Sequence, residues 1–211
     1  MAATIKPKVK GVFLTFEGPE GAGKSTQIKL LTQYLYEKGK DVLLLREPGG
    51  VVISEKIRSI LLDKENKAMC NECEILLYMA ARAQLVEEII KPALIEGKIV
   101  VCDRFLDSTI AYQGYGNSGD LDKIKTIGRW IVQDCFPELT IVFDIDPKEG
   151  LSRISGDKDR IESKSLEYHK KVRQGYQALA KEEPQRVKLV SGKGNIDKIF
   201  DEVKAYVEEI I

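Results

Sequence analysis

Gly18-Pro19-Glu20-Gly21-Ala22-Gly23-Lys24-Ser25-Thr26 sets a lysine and two hydroxyls directly behind a glycine-rich run. The spacing fits G-x-x-x-x-G-K-[ST], a cradle for polyphosphate. Its glycines let successive backbone N–H groups curl around an anion, and a helix starting there adds its positive N-terminal end. Lys24 can then reach the β- and γ-phosphates, and Ser25 can hold Mg²⁺. Gly18, Glu20, Gly21, Ala22, Gly23, Lys24, Ser25 and Thr26 are the candidates for binding ATP.

Two further segments carry groups of the right kind. Ile99-Val100-Val101-Cys102-Asp103-Arg104 is an apolar run that ends in a carboxylate. A buried strand would deliver Asp103 to its C-terminal end, where ligands sit in open α/β sheets, and there it could hold Mg²⁺. In Arg46-Glu47-Pro48-Gly49-Gly50 the guanidinium precedes a stiff turn. Its fork suits a phosphate monoester. Each segment also reads, in isolation, as an ordinary strand end.

These groups need elements to hold them. Val12–Phe16, Val42–Leu45, Ile99–Cys102, Thr140–Phe143 and Val187–Val190 are short apolar runs without alternation, as in strands covered on both faces. Helical patterns occupy Gln27–Lys38, Ser54–Leu62, Glu72–Lys91, Leu121–Asp134, Leu166–Lys181 and Ile196–Glu209. Pro92 is expected to break the long helix from a short one at Ala93–Glu96. The alternation predicts an α/β fold: a three-layer α/β/α P-loop domain with a parallel sheet of about five strands and helices on both faces. One domain is expected over residues 1–211, with a flexible tail at 1–10 and a mobile lid at 152–165.

Lys+Arg and Asp+Glu balance at 33 each, so nothing marks a nucleic-acid or acidic-membrane surface. No apolar run approaches a membrane span, and no secretion signal precedes the first strand. A cytoplasmic enzyme is the expectation. Cys70-Asn71-Glu72-Cys73 lacks the second pair or the two histidines that a structural zinc site needs. All four cysteines read as reduced, and Cys102 as a small core residue. His169, among Lys170 and Lys171, reads as solvated.

At this point the chain resembles the thymidylate kinases, a branch of the nucleoside-monophosphate kinases. Phe16–Thr26 matches their phosphate loop and Arg46–Gly50 their R-E-P-G-G segment. Asp103-Arg104-Phe105 matches D-R-[YFH], Ser108–Gly114 matches S-x-x-A-Y-Q-G, and Asp159-Arg160-Ile161-Glu162 matches the lid. The resemblance implies phosphorylation of dTMP by ATP and Mg²⁺, giving dTDP for dTTP synthesis, in a homodimer. It places the acceptor phosphate between Arg46 and Arg104, and the thymine near Arg82, Thr109 and Gln113. Tyr112 would crowd a ribose 2′-hydroxyl. Glu20 would neighbour the 3′-hydroxyl and the metal, beside Ser25 and Asp103. Tyr78 would stack on the base where relatives usually have Phe. Four residues apart, Tyr78 and Arg82 share a helix face.

Relatives with glycine at the position of Gly21 supply a catalytic arginine from the lid. This lid offers Arg153 and Arg160, and Lys158 could share the work. With Lys24 and Arg104 these are the candidate catalytic residues, and transfer would be in-line, driven by positioning and charge neutralisation. A kinase for another monophosphate or a nucleoside shares the same core. A GTP-dependent switch would want Asn-Lys-x-Asp, and Asn66-Lys67 is followed by Ala68-Met69. An inactive relative would be expected to lack phosphate ligands that are all present here.

Overall fold

The computed structural model describes residues 11–211, so the expected tail at 1–10 lies outside the described residues. Five strands alternate with helices: β1 (Val12–Glu17), α1 (Lys24–Glu37), β2 (Val42–Arg46), α2 (Val52–Leu62), α3 (Asn71–Leu85), α4 (Lys91–Ile95), β3 (Ile99–Asp103), α5 (Leu106–Thr109), α6 (Leu121–Val132), β4 (Leu139–Asp144), α7 (Pro147–Ser152), α8 (Leu166–Glu182), β5 (Val187–Ser191) and α9 (Ile196–Glu208). All pairings are parallel, in the order β2-β3-β1-β4-β5. β1, at the centre, therefore ends between the ends of β3 and β4. Each loop after these strands opens on the same edge of the sheet.

Successive strand residues face opposite layers. Phe13, Val100, Cys102 and Val142 pack with α3, α6 and α8, while Leu14, Phe16, Val101 and Phe143 pack with α1 and α9. Aromatic pairs mark both layers: Phe13 meets Phe105 edge-on at 4.9 Å, and Phe16 stacks on Phe143 at 5.7 Å. The edge strands are less covered than their apolar runs imply. Leu44 of β2 is 49% exposed and Leu189 of β5 is 38% exposed.

Helix starts follow local chemistry. Asp120, Asp146, Ser165 and Asn195 each accept a backbone N–H from the first turn that follows. Helix α1 has no such side-chain cap, so its first-turn N–H groups remain available to an anion.

Two helical stretches depart from expectation. Pro92 does not break the long helix. A π-helical turn over Val86–Ile90 joins α3 to α4, and Lys91 N–H donates to Val86 O. The wider turn accommodates a residue that has no N–H of its own. A second π-helical segment, Ile110–Gly116, continues α5. Its seven residues have no 3.6-residue apolar period to announce them.

The expected lid splits into two unlike halves. Arg153 and residues 155–158 are exposed, whereas Ile161 is buried in the core and Arg160 N–H donates to Leu62 O. His169 is not solvated. Helix α8 turns it inward, 1% exposed, edge-on to Tyr168 at 5.3 Å. Neither ring nitrogen meets a hydrogen-bond partner, and burial pushes its pKa down. Cys70 and Cys73 are free and exposed at the start of α3, and Cys102 is buried as expected.

Beneath β1 and β4 runs a buried polar chain. Thr15 and Thr140 hydroxyls pair at 2.7 Å, Thr140 donates to Asp107, and Arg186 grips Asp107 with Nη1 at 2.7 Å and Nη2 at 3.0 Å. Removing one partner strands a buried charge. Arg186→Met should lower unfolding free energy by about 3–5 kcal/mol in urea titration. Adding Asp107→Asn should recover most of the loss.

Candidate active site

Two clefts adjoin the phosphate loop, one through Glu20 and the other through Ser25. The first is lined by Glu20, Arg58, Tyr78, Arg82, Arg104 and Gln113, with Thr109, Tyr112, Asp159 and Ile161 completing it. The second is lined by Ser25, Arg46, Glu55 and Asp103 with apolar side chains of α1 and β2.

Arg104 is the hub of the first cleft. It follows β3 at φ 70, a left-handed conformation uncommon for a non-glycine residue. Its Nη1 donates to Gly18 O at 3.1 Å, Ser108 Oγ at 3.2 Å and Tyr176 Oη at 3.3 Å. Nη2 meets Glu20 at 2.8 Å, and the guanidinium lies over the Tyr112 ring at 4.8 Å. Tyr112 also donates to Glu20 at 2.7 Å. Burial opposes ionisation of Glu20, but Arg104 and Lys24 outweigh it and bring the carboxyl down to about 2.

Behind Arg104 stands Glu17, fully buried at the end of β1. Phe105 N–H, Ser108 Oγ and Tyr176 Oη donate to its carboxylate at 2.7, 2.5 and 2.9 Å. Burial, with Asp107 nearby, lifts Glu17 to about 7 despite those donors. The two hydroxyls give their protons to Glu17 and offer lone pairs to Arg104, which fixes the guanidinium from behind.

Arg82 is not a surface residue. It is 1% exposed, and its Nε and Nη2 lie 2.9 and 2.8 Å from Glu47 Oε2. Nη2 also donates to Thr109 Oγ1 at 3.1 Å, and the guanidinium sits over Phe105 at 5.1 Å. Tyr78 and Gln113 join it in the same cavity.

Arg46 goes elsewhere. It lines the second cleft, where Nη2 donates to both Glu55 oxygens at 3.0 and 3.2 Å and Nη1 to Pro48 O at 3.1 Å. The first cleft receives Arg58 instead, which sequence reading missed. The available signal was spacing: Arg58 lies four residues after Ser54, whose buried hydroxyl ties α2 to Ala81 O. Glu17, Glu47, Ser108 and Tyr176 were missed as well. The first three lie inside the matched segments and Tyr176 outside them, but each acts through another side chain, a role that a motif match does not reveal.

In the phosphate loop Lys24 is buried, with Nζ 3.5 Å from Gly18 O. Burial, with Arg104 nearby, pushes its pKa down. Gly21 has a steric cause: a Cβ there would lie 2.0 Å from Gly150 O, and one on Gly150 would lie 2.2 Å from Glu20 O. The paired glycines let α7 press against the loop. Arg153, ending α7, reaches back to Gly21 O at 3.2 Å and Gly192 O at 3.0 Å. Arg160 does not approach the loop. It is held by Glu74 at 2.6 Å and by Leu61 O at 2.7 Å.

The second cleft fits a divalent cation. Asp103 Oδ1 is buried without a partner, and Ser25 lines the same space. Among the described residues no group of three or more acidic, His or Cys side chains completes a cage. Such an ion would draw its remaining oxygens from phosphate and water, as Mg²⁺ does. Glu20, the third expected metal neighbour, is committed to Arg104 and Tyr112 in the other cleft. Among the described residues no helix is long and apolar enough to cross a membrane.

The thymidylate kinase family model matches residues 16–203. A thymidylate kinase of Geotalea daltonii is 51% identical over 89% of this chain and 92% of its own. One from Clostridium novyi is 43% identical over 94% of this chain and 99% of its own. The crystal structure of thymidylate kinase from Ehrlichia chaffeensis superposes with a TM-score of 0.78 at 34% identity, covering 94% of this chain and 98% of the other.

Glu20 gives a pH signature. Its folded pKa lies below the ordinary 4.5, so its stabilisation is full above 4.5 and is lost as pH falls through about 2. The stability gap between wild type and Glu20→Gln, from urea unfolding, should narrow by about 2 kcal/mol between pH 7 and pH 3.

Proposed function

The chain belongs to the thymidylate kinase family, and we propose that it transfers the γ-phosphoryl group of ATP to dTMP, giving dTDP and ADP. The observation that carries this reading is a glycine-rich loop running into the uncapped start of α1, beside a cleft that gathers Tyr78, Arg82, Arg104 and Gln113.

ATP phosphates lie on the backbone of Gly18–Thr26 and the uncapped start of α1. Lys24 neutralises the β- and γ-phosphates. Ser25 and Asp103 hold Mg²⁺, which shields phosphate charge when bound. In the other cleft Arg104 and Arg58 receive the acceptor phosphate, while Arg46, paired with Glu55, shapes the turn that follows β2. Tyr78 stacks on the thymine. Arg82 donates to a base carbonyl, Thr109 and Gln113 meet the remaining polar edge, and Tyr112 fills the space of a ribose 2′-hydroxyl. Glu20 lies at the 3′-hydroxyl.

The acceptor is already anionic, so the task is to bring two negative phosphates together in line. Lys24 and Arg153 face the transferring group, and Arg104 offsets repulsion from the acceptor side. The lid excludes water over the cavity through Asp159, Ile161 and Glu162. We assign the loop-facing role to Arg153, supported by its contact with Gly21 O, rather than to Arg160. Trp130, 76% exposed beside an apolar groove between α3 and α6 that Leu76, Met79 and Ile127 line, supports a homodimer through that face. A cytoplasmic location fits a soluble supply of nucleotide.

A coupled ADP-release assay with dTMP, dUMP, dCMP and thymidine reads the acceptor directly, and dTMP should be used best. Arg82→Ala should raise KM for dTMP at least tenfold, and an unchanged KM would remove Arg82 from the base site. Arg153→Ala should lower kcat at least tenfold with KM for dTMP within about twofold. Arg160→Ala should lower kcat less.

A further inference from the structure

Glu74 has no part in the roles assigned above, yet it is 2% exposed and collects donors from three elements. Gln113 Nε2, on the second π-helical segment, donates to Oε1 at 2.8 Å, and Asn117 Nδ2 donates to the same oxygen at 3.1 Å. From the lid, Arg160 Nη1 lies 2.6 Å from Oε2, and Lys164 Nζ lies 3.5 Å from Oε1. Burial resists ionisation, but Lys164, Gln113 and Arg160 outweigh it and hold the carboxyl below its ordinary value.

An ionised carboxylate only accepts hydrogen bonds. Gln113 must therefore turn its NH₂ end toward Glu74. The carbonyl end is left to face the cavity that Gln113 lines. A carbonyl in that place complements a ring N–H donor, such as N3–H of thymine or uracil. It repels the bare N3 lone pair of cytosine. Without Glu74 the amide could rotate by half a turn and serve either pattern.

We propose that Glu74 is a positioning residue that determines acceptor specificity: it fixes the Gln113 amide so that the site selects a base carrying a ring N–H donor, while Arg160 and Lys164 of the lid keep the carboxylate in place. The proposal rests on the reading that Gln113 faces the acceptor base. It gives Arg160 work on the acceptor side. It also makes lid contact and base recognition depend on one buried group.

The test is the ratio of kcat/KM for dTMP to that for dCMP, or of Kd values where dCMP turnover is undetectable. In Glu74→Gln the new side chain can donate as well as accept, so Gln113 is free to flip. The ratio should fall at least tenfold. A ratio unchanged within about twofold, however much both rates drop, overturns the proposal, because a merely structural role lowers both acceptors together. Should Glu74→Gln not fold, Glu74→Gln with Arg160→Gln removes the paired charges together and is compared with Arg160→Gln alone by the same criterion. Gln113→Ala separates the two readings. An unchanged KM for dTMP there shows that Gln113 does not face the base. A raised KM there, with an unchanged ratio in Glu74→Gln, defeats the orientation role alone.

Discussion

The phosphate end of the molecule is organised around one guanidinium. Arg104 leaves β3 in a left-handed conformation and ties together the phosphate loop through Gly18 and Glu20, the α5 turn through Ser108, and α8 through Tyr176. A backbone conformation of that kind costs of order 1–3 kcal/mol and persists when its surroundings over-determine it. Here the surroundings are Glu20 in front and Glu17 behind. Glu20 meets the cation directly. Glu17 acts through two hydroxyls whose protons it holds. The guanidinium is thereby held in one position by the protein's own groups.

The same logic is repeated around Arg82 and Arg160. Arg82 is buried because Glu47, Thr109 and the Phe105 face satisfy it. Arg160, half-buried, is held through Nη1 by Glu74. Arg82 and Arg160 are each paired with one carboxylate, which limits the net charge carried there. Such buried pairs contribute little net stability against an apolar alternative. Their consequence is geometric, since each fixes which N–H or C=O faces the cavity.

Legibility from sequence followed the range of the interactions. Strand runs, capped helices and the phosphate loop are encoded locally, and all five strands appear where apolar runs end in Glu17, Arg46, Asp103, Asp144 and Ser191. The motif residues Glu20, Tyr78, Arg82, Arg104, Thr109, Tyr112 and Gln113 converge on one cavity. What escaped was non-local or aperiodic. The π-helical turns have no 3.6-residue pattern, and His169 sits among lysines that point the other way. Arg46, expected from its place at a strand end to meet a phosphate, gives its Nη2 to Glu55, nine residues on.

The glycine at position 21 shows how a steric limit relocates a charge. Any side chain there would collide with Gly150 O, and any side chain on Gly150 would collide with Glu20 O. The loop therefore cannot carry its own guanidinium while α7 lies against it. That close approach also carries the end of α7 to the loop, where Arg153 spans Gly21 O and Gly192 O. The same contact that excludes a side chain from position 21 thus brings a cation to the loop backbone. Glu149, one turn earlier on α7, pairs with Arg153 at 2.8 Å and holds it there. An exposed pair of this kind is weak, so the guanidinium can exchange its carboxylate for a phosphate oxygen at small cost. Arg82 and Arg104, little exposed and held by Glu47 and Glu20, lack that freedom.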